Sequence, residues 1–166
     1  ILDIGLKYKI INNGLRPKKL SGGKVITFEV IKYELKKIEK KLNKKFKYIL
    51  ILQPTSPFRS KSTVQKALTE IKKKKYDSIT TVTDGGWMHP ERMKILKNGL
   101  LNNYTGKKKE NLKPRQTLRK VYIRSGSIYL IKRNAFFKYK SLVGKNCKGI
   151  KVYGKEAINI DNKHDL

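Results

Sequence analysis

The order of helical and extended patterns between residues 26 and 83 constrains the fold more than any other feature of this sequence. Residues 26–45 carry apolar side chains at four-, three- and four-residue spacing, which predicts a surface helix. Its buried face comprises Ile31, Leu35, Ile38 and Leu42. The apolar run at 47–52 has the length of a buried strand, and the β-branched segment 78–83 predicts another.

A second helix is expected between these two strands. Ser62 and Gln65 have the spacing of a capping box. The buried stripe of this helix comprises Val64, Ala67, Leu68 and Ile71. The order of elements predicts an α/β domain with a mainly parallel sheet and right-handed crossovers. Because ligands bind beyond the carboxyl ends of strands in such sheets, we expect functional residues in the loops at 53–60 and 84–92.

The second half of the chain continues this alternation with a hairpin and further strands. Asn98-Gly99 predicts a tight turn between Met93–Ile95 and Leu100–Leu101, followed by a basic connecting stretch at 102–120. The expected remaining elements are strands near 127–132 and 149–153, a short helix near 134–139 and an extended piece at 157–161. A chain of 166 residues suffices for one core, so we expect a single domain, 1–166.

The charge of the chain raises the question of a nucleic-acid partner. The formal net charge is +29, but of the 41 basic residues only seven are Arg, whose fork dominates base recognition. The Lys residues are spread along the chain, which favours a solvated surface, so nucleic-acid binding is the second hypothesis. No apolar run is long enough to span a bilayer, and the single Cys147 fits a reducing, cytoplasmic compartment.

The segment after the first strand is the richest in polar chemistry. It reads Gln53-Pro54-Thr55-Ser56-Pro57-Phe58-Arg59. Two prolines stiffen the loop, so that Gln53, Thr55 and Ser56 can present donors and acceptors to a sugar or nucleotide at little ordering cost. An ordinary polar turn would have the same composition.

Other polar segments follow a fixed order along the chain. They are Leu15-Arg16-Pro17 with Leu20, His89-Pro90-Glu91-Arg92-Met93, Pro114-Arg115-Gln116, Tyr122 to Tyr129, and Ile158 to Leu166. Taken singly, each has a structural interpretation: Arg16 can face solvent before a helix-starting Pro, and Tyr129 can pack in the core. Arg115 has the planar fork that binds a carboxylate bidentately.

Together these segments resemble the acylneuraminate cytidylyltransferases, the CMP-sialic acid synthetase family. That family carries LRP-x-x-L, QPTSP-L-R, PRQ, Y-x-x-NGAIY and DIDT-x-x-DL in the same order, and the resemblance runs from about Arg16 to Leu166. It implies a three-layer, Rossmann-like nucleotide-diphospho-sugar transferase fold. It also implies that CTP and a sialic-acid-like nonulosonic acid react with Mg²⁺ to give a CMP-sugar and pyrophosphate.

The resemblance also implies a role for individual residues. Arg16 and Thr27 would bind cytidine, and Asn159 and Asp161 would hold Mg²⁺. The acidic sugar would be bound by Gln53, Thr55, Ser56, Arg92, Arg115 and Tyr129. Gln53, Arg115 and Asp161 would be the catalytic set. Family members are commonly homodimers, and residues 134–148 would be the dimerisation segment.

The chain departs from the family pattern at several positions. Ser125 replaces the usual Asn, Arg119 replaces a Pro, and Asn159 replaces an Asp, which offers a neutral oxygen to the metal. Nothing matches the family's first strand and Gly-, Arg- and Lys-rich phosphate loop, so we expect the chain to lack that segment and to turn over CTP poorly. The sequence does not choose among sialic, legionaminic, pseudaminic or Kdo-type acids.

Overall fold

The computed structural model describes residues 4, 7–8, 10–11 and 13–165. The helices of the described residues are α1 (Thr27–Lys41), α2 (Lys61–Ile71) and α3 (Arg133–Tyr139). The strands are β1 (Tyr48–Ile51), β2 (Ser78–Asp84), β3 (Lys94–Lys97), β4 (Leu100–Asn103), β5 (Tyr122–Lys132) and β6 (Cys147–Lys151). Short 3₁₀ turns lie at Lys18–Leu20, Pro90–Arg92, Arg115–Thr117, Gly154–Ala157 and Lys163–Asp165.

The main sheet contains four strands in the order β1-β5-β2-β6. β5 is antiparallel to both of its neighbours, whereas β2 and β6 are parallel. β1, β2 and β6 therefore run in one direction, and β5 runs against them. The predicted α/β class is confirmed, and the sheet is mixed. The chain leaves β2 at Asp84 and returns directly opposite at Tyr122, so β5 enters the sheet without the helical crossover that a parallel strand requires.

Helices cover both faces of this sheet. One buried cluster joins Phe28 and Leu35 of α1 to Phe136 of α3, and it includes Ile131 of β5. The other cluster packs α2 against the sheet and includes Leu130 of β5. Because adjacent residues of a strand point to opposite faces, α2 lies on the face opposite to α1 and α3.

Helix α1 is shorter than the sequence pattern predicted. It ends at Lys41, and Leu42 is exposed rather than buried. Glu39, one turn earlier, is buried instead. Its carboxylate accepts hydrogen bonds from Arg133 Nε at 2.7 Å and from Arg133 Nη2 at 2.9 Å. A partner distant in sequence thus allows a carboxylate on the face that periodicity assigned to apolar residues.

Helix α2 begins with a different cap from the predicted Ser62. The hydroxyl of Ser60 accepts the backbone N–H of Thr63 at 3.1 Å, so Ser60 is the N-cap and Ser62 lies inside the first turn. Ala67 and Ile71 are fully buried as predicted, whereas Leu68 is largely exposed and Thr63 is buried.

The remaining elements match the expected order with shifted bounds. β3 and β4 form a separate two-stranded sheet whose turn, Asn98-Gly99, has the positive φ angles of 51° and 78° that such a hairpin requires. β5 begins five residues before the predicted 127, at Tyr122. Residues 158–161 form no strand, although Ile160 donates a backbone hydrogen bond to Thr55. None of the described helices is both long enough and apolar enough to traverse a bilayer.

Candidate functional site

The loop that follows β1 is held against β5 by one arginine. The Arg59 guanidinium donates to the Gln53 carbonyl oxygen at 2.6 Å and to the Ser127 carbonyl oxygen at 2.8 Å. Burial lowers the pKa of Arg59 below its ordinary value, yet the group stays charged at neutral pH. These two bonds fix the ends of the Gln53–Arg59 loop, while its two prolines restrict the interior.

Asn159 joins this loop to the C-terminal part of the chain. Its side-chain oxygen accepts hydrogen bonds from the Thr55 hydroxyl at 2.8 Å and from the Ser56 hydroxyl at 3.0 Å. Its amide nitrogen donates to the carboxylate of Asp161, which is itself exposed. Four of the residues that the sequence singled out therefore form one hydrogen-bonded group.

Gln53 enters the same group through a glycine of β5. Gly126 has a φ of +76°, and a Cβ atom built there would lie 2.6 Å from Gln53 Oε1 and 3.6 Å from Asn159 Oδ1. The Gln53 amide thus occupies space that any other residue at 126 would fill. We call Gln53, Thr55, Ser56, Asn159 and Asp161 the loop cluster.

The loop cluster contains a single carboxylate, that of Asp161, which a metal could use as a ligand. Among residues 13–165, no group of three or more His, Cys, Asp or Glu side chains is placed to hold a metal. Asp161 offers exposed carboxylate oxygens, but the Asn159 oxygen is already bonded by two hydroxyls. Mg²⁺ commonly uses one or two carboxylates and completes its shell with phosphate oxygens and water, which these residues allow. Asp161 would be the ligand, with Asn159 orienting it.

Arg115 lines a pocket next to the end of β2. The cavity has a volume of about 400 Å³, and its lining includes Asp84, His89, Arg119 and Lys120. β1 and β2 run in the same direction, so the loop cluster and this pocket both lie beyond carboxyl ends of strands. β2 extends farther than β1, since Ile51 pairs with Tyr129 of β5 and Asp84 pairs with Tyr122. No hydrogen bond or ion pair of the described residues joins Arg115 to the loop cluster.

The other predicted site residues lie apart from the loop cluster. Arg92 donates to the Lys113 carbonyl at 2.6 Å and lies 3.9 Å from the Glu110 carboxylate, so it connects two segments of the excursion between β2 and β5. Tyr129 is half-buried on β5, with the Arg124 guanidinium 6.0 Å from its ring centroid. Arg16 and Thr27 are exposed, and no hydrogen bond of the described residues connects their side chains to the loop cluster.

Sequence reasoning missed three residues that build the site. Arg59 and Gly126 shape the loop cluster, and Glu156 accepts the Ser60 backbone N–H at 2.9 Å and the Ser60 hydroxyl at 2.7 Å. Burial acts to raise the pKa of Glu156, but these hydrogen bonds outweigh it and hold the pKa below its ordinary value. The signals were an Arg directly after a Pro-rich loop and a Gly inside a strand, which often marks close approach of another group.

Comparison with protein-family models finds none that matches this chain, and comparison with curated proteins yields no significant match.

Proposed function

We propose that this chain is a cytidylyltransferase that forms a CMP-sugar from CTP and a sialic-acid-like nonulosonic acid. The observation that carries the proposal is the bridge made by Asn159, which gathers Thr55, Ser56 and Asp161 beyond the carboxyl end of β1. Gln53 lies beside this bridge, since a Cβ on Gly126 would approach both Gln53 Oε1 and Asn159 Oδ1, whereas Arg115, the third proposed catalytic residue, lines the separate pocket at the end of β2. Kdo is an alternative sugar acid for the same site.

The fold part of the proposal is a single, three-layer, Rossmann-like nucleotide-diphospho-sugar transferase domain. Helices on both faces of the sheet support three layers, and the common direction of β1, β2 and β6 supports a doubly wound origin. The antiparallel β5 departs from the usual pattern of this class, because the antiparallel strand of a mixed doubly wound sheet commonly lies at an edge and β5 lies between β1 and β2.

The reaction would transfer a cytidylyl group to the sugar. The anomeric hydroxyl oxygen attacks the α-phosphorus of CTP, the bond from that phosphorus to the bridging β-phosphate oxygen breaks, and pyrophosphate leaves while the hydroxyl proton passes to solvent or a base.

Gln53, Thr55 and Ser56 would orient the hydroxyl groups of the sugar, and Arg115 would bind the carboxylate of the sugar. Arg92 and Tyr129 would complete the sugar site, and Arg16 and Thr27 would bind cytidine. Mg²⁺ bound by Asp161, whose carboxylate Asn159 orients, would supply charge neutralisation at the phosphates.

Equilibrium binding tests this proposal separately from turnover. Isothermal titration calorimetry would measure the binding of N-acetylneuraminic acid and of CTP with Mg²⁺ to the whole chain. We expect Gln53→Ala to weaken sugar-acid binding by about tenfold, the worth of one or two lost hydrogen bonds. Gln65→Ala is the matched control, because Gln65 is exposed on α2 away from the loop cluster. Equal affinity of the wild type and Gln53→Ala for every nonulosonic acid and for Kdo would contradict the proposed sugar site.

The dimer part of the proposal concerns residues 134–148. Ala135 and Phe136 are buried in the chain's own core, so a partner would contact the exposed part of this segment, such as Asn134, Lys138 and Lys140. Light scattering with size-exclusion chromatography at several concentrations would detect a dimer. A mass of one chain at all concentrations would count against it.

A basic nucleic-acid-binding module is the second candidate, and the net charge of +29 is the observation that favours it. Such binding would be indifferent to sequence and would weaken steeply with salt, because it depends on counterion release. It would also survive Arg115→Ala, whereas the sugar-acid affinity would not. Fluorescence anisotropy with a labelled duplex and single strand at several salt concentrations distinguishes the two candidates.

A further inference from the structure

One side of the pocket beside Arg115 is formed by residues 119–121, and hydrogen bonds connect this segment to the loop after β2. The Gly85 N–H donates to the Val121 carbonyl at 3.0 Å, and a Cβ on Gly85 would lie 2.9 Å from the Val121 side chain. His89 is buried, with Nε2 2.9 Å from the Arg119 carbonyl oxygen, while its Nδ1 accepts the Glu91 N–H at 3.1 Å. The ring therefore donates through Nε2 and ties residue 119 to the loop after β2.

The charges around this pocket are unbalanced. Arg115, Arg119 and Lys120 line it with one carboxylate, Asp84, which already accepts the Gly86 N–H at 2.8 Å. In residues 13–165, none of these three cations has an ion-pair partner. Neighbouring carboxylates serve other cations, since Glu91 pairs with Lys107 at 2.6 Å and Glu110 pairs with Lys94 at 3.0 Å. Two positive charges are thus left over in one cavity of about 400 Å³.

We propose that this pocket takes a ligand with two negative charges, and that Arg119 and Lys120 bind the second charge beside Arg115. One carboxylate would be satisfied by the fork of one Arg. The volume suits a small molecule, and the hydrogen bonds to residues 119–121 keep the backbone of residue 119 at the pocket without the cost of ordering a loop. The proposal rests on the proposed function only for the assignment of the first charge to the carboxylate of a sugar acid. The second charge is either a further acidic group of that sugar or a phosphate of the nucleotide.

Simple anions test the charge requirement on the whole chain. Binding of malonate, inorganic phosphate and propionate would be followed by NMR chemical-shift titration at fixed ionic strength. We expect malonate and phosphate to bind about fivefold or more tightly than propionate, as an added ion pair in a partly exposed pocket allows. Stronger binding of malonate than of phosphate favours a second sugar carboxylate, and the reverse order favours a nucleotide phosphate.

Variants show whether the effect belongs to this pocket. Arg119→Gln should remove most of the preference for dianions, and Arg119→Lys should restore part of it. Lys36→Gln removes the same charge from the exposed face of α1 and should leave the preference unchanged. No preference for dianions, or an equal loss in Arg119→Gln and Lys36→Gln, would overturn the inference.

The outcome is separable from that of the proposed function. Dianion binding that Arg119→Gln abolishes, with no response to CTP or to any sugar acid, would leave this inference standing and the proposed function without support. If Arg119→Gln and Lys120→Gln leave the binding of sugar acid and CTP unchanged, the proposed function would be supported and this inference would be overturned.

Discussion

Gly126→Ala is the substitution whose effect the structure specifies most closely. Alanine at a φ of +76° costs about 1 kcal/mol because its Cβ crowds the backbone in the left-handed region. The new Cβ would also lie 2.6 Å from Gln53 Oε1, which must move because that distance is well inside van der Waals contact. The clash is with the end of a flexible side chain, so we expect a total loss of about 1–2 kcal/mol. For a chain of this size that lowers Tm by about 3–6 °C.

The displacement of Gln53 should weaken ligand binding more than it weakens the fold. Thermal unfolding followed by circular dichroism gives Tm, and calorimetry gives the affinity for N-acetylneuraminic acid. Gly106→Ala is the matched control, because Gly106 has a φ of +73° and no atom within 4 Å of an added Cβ. It should show the backbone cost alone and bind normally. A Gly126→Ala protein with the stability of Gly106→Ala and unchanged sugar-acid affinity would refute the account of how Gln53 is held.

Other predictions concern the fold around the site. Glu39→Gln should destabilise the chain by about 2 kcal/mol in urea unfolding, because it leaves the Arg133 guanidinium without its charged partner, and an unchanged midpoint would contradict this. Ser60→Ala should cost about 1 kcal/mol through loss of the α2 cap, also seen in urea. The Lys148 and Lys73 ammonium groups hold the pKa of Glu70 at about 2, so its stabilising effect is complete above the unfolded value of 4.5 and lost as pH falls toward 2. Glu70→Gln should flatten the dependence of stability on pH in that window, and a parallel curve would contradict the assignment.

The sequence predicted the elements well where periodicity alone decides them. β2 and the Asn98-Gly99 hairpin formed as expected, because β-branched runs and that dipeptide have strong local preferences. Helix α1 ends at Lys41, before the predicted residue 45, because Asn43 adopts a left-handed conformation with a φ of 46°. Its buried face contains the carboxylate of Glu39 because that group pairs with Arg133, which lies far away in sequence. Local pattern cannot reveal such a pair.

The direction of β5 was beyond the sequence pattern for a similar reason. A strand carries no local mark of its direction, which is set by where the connecting chain returns. The segment that connects β2 to β5 begins after Asp84 and ends at Tyr122, which pairs with Asp84. The chain therefore returns along β2 in the reverse direction, and β5 is antiparallel.

The site was partly predictable from its residue types. Gln53, Thr55, Ser56, Asn159 and Asp161 were selected because their segments resemble those of a known family, and the structure brings them together. The extended piece expected at 157–161 pairs with no strand of the described residues, and Ala157 belongs to a 3₁₀ turn. The proximity of Asn159 to Asp161 comes from a direct hydrogen bond. The role of Gly126 depends on a Gln53 side chain that approaches from another strand, so only coordinates reveal it.

The hydrogen bonds of Asn159 also constrain how the chain acquires its site during synthesis. Thr55 and Ser56 leave the ribosome about a hundred residues before their partner, because the contacts span 104 and 103 positions. The hydrogen bonds of these two hydroxyls cannot form until the segment around residue 159 has been synthesised. Closing so long a loop is also slow compared with forming local helices. The site therefore forms only after residue 159 has been synthesised, later than the helices whose contacts are local.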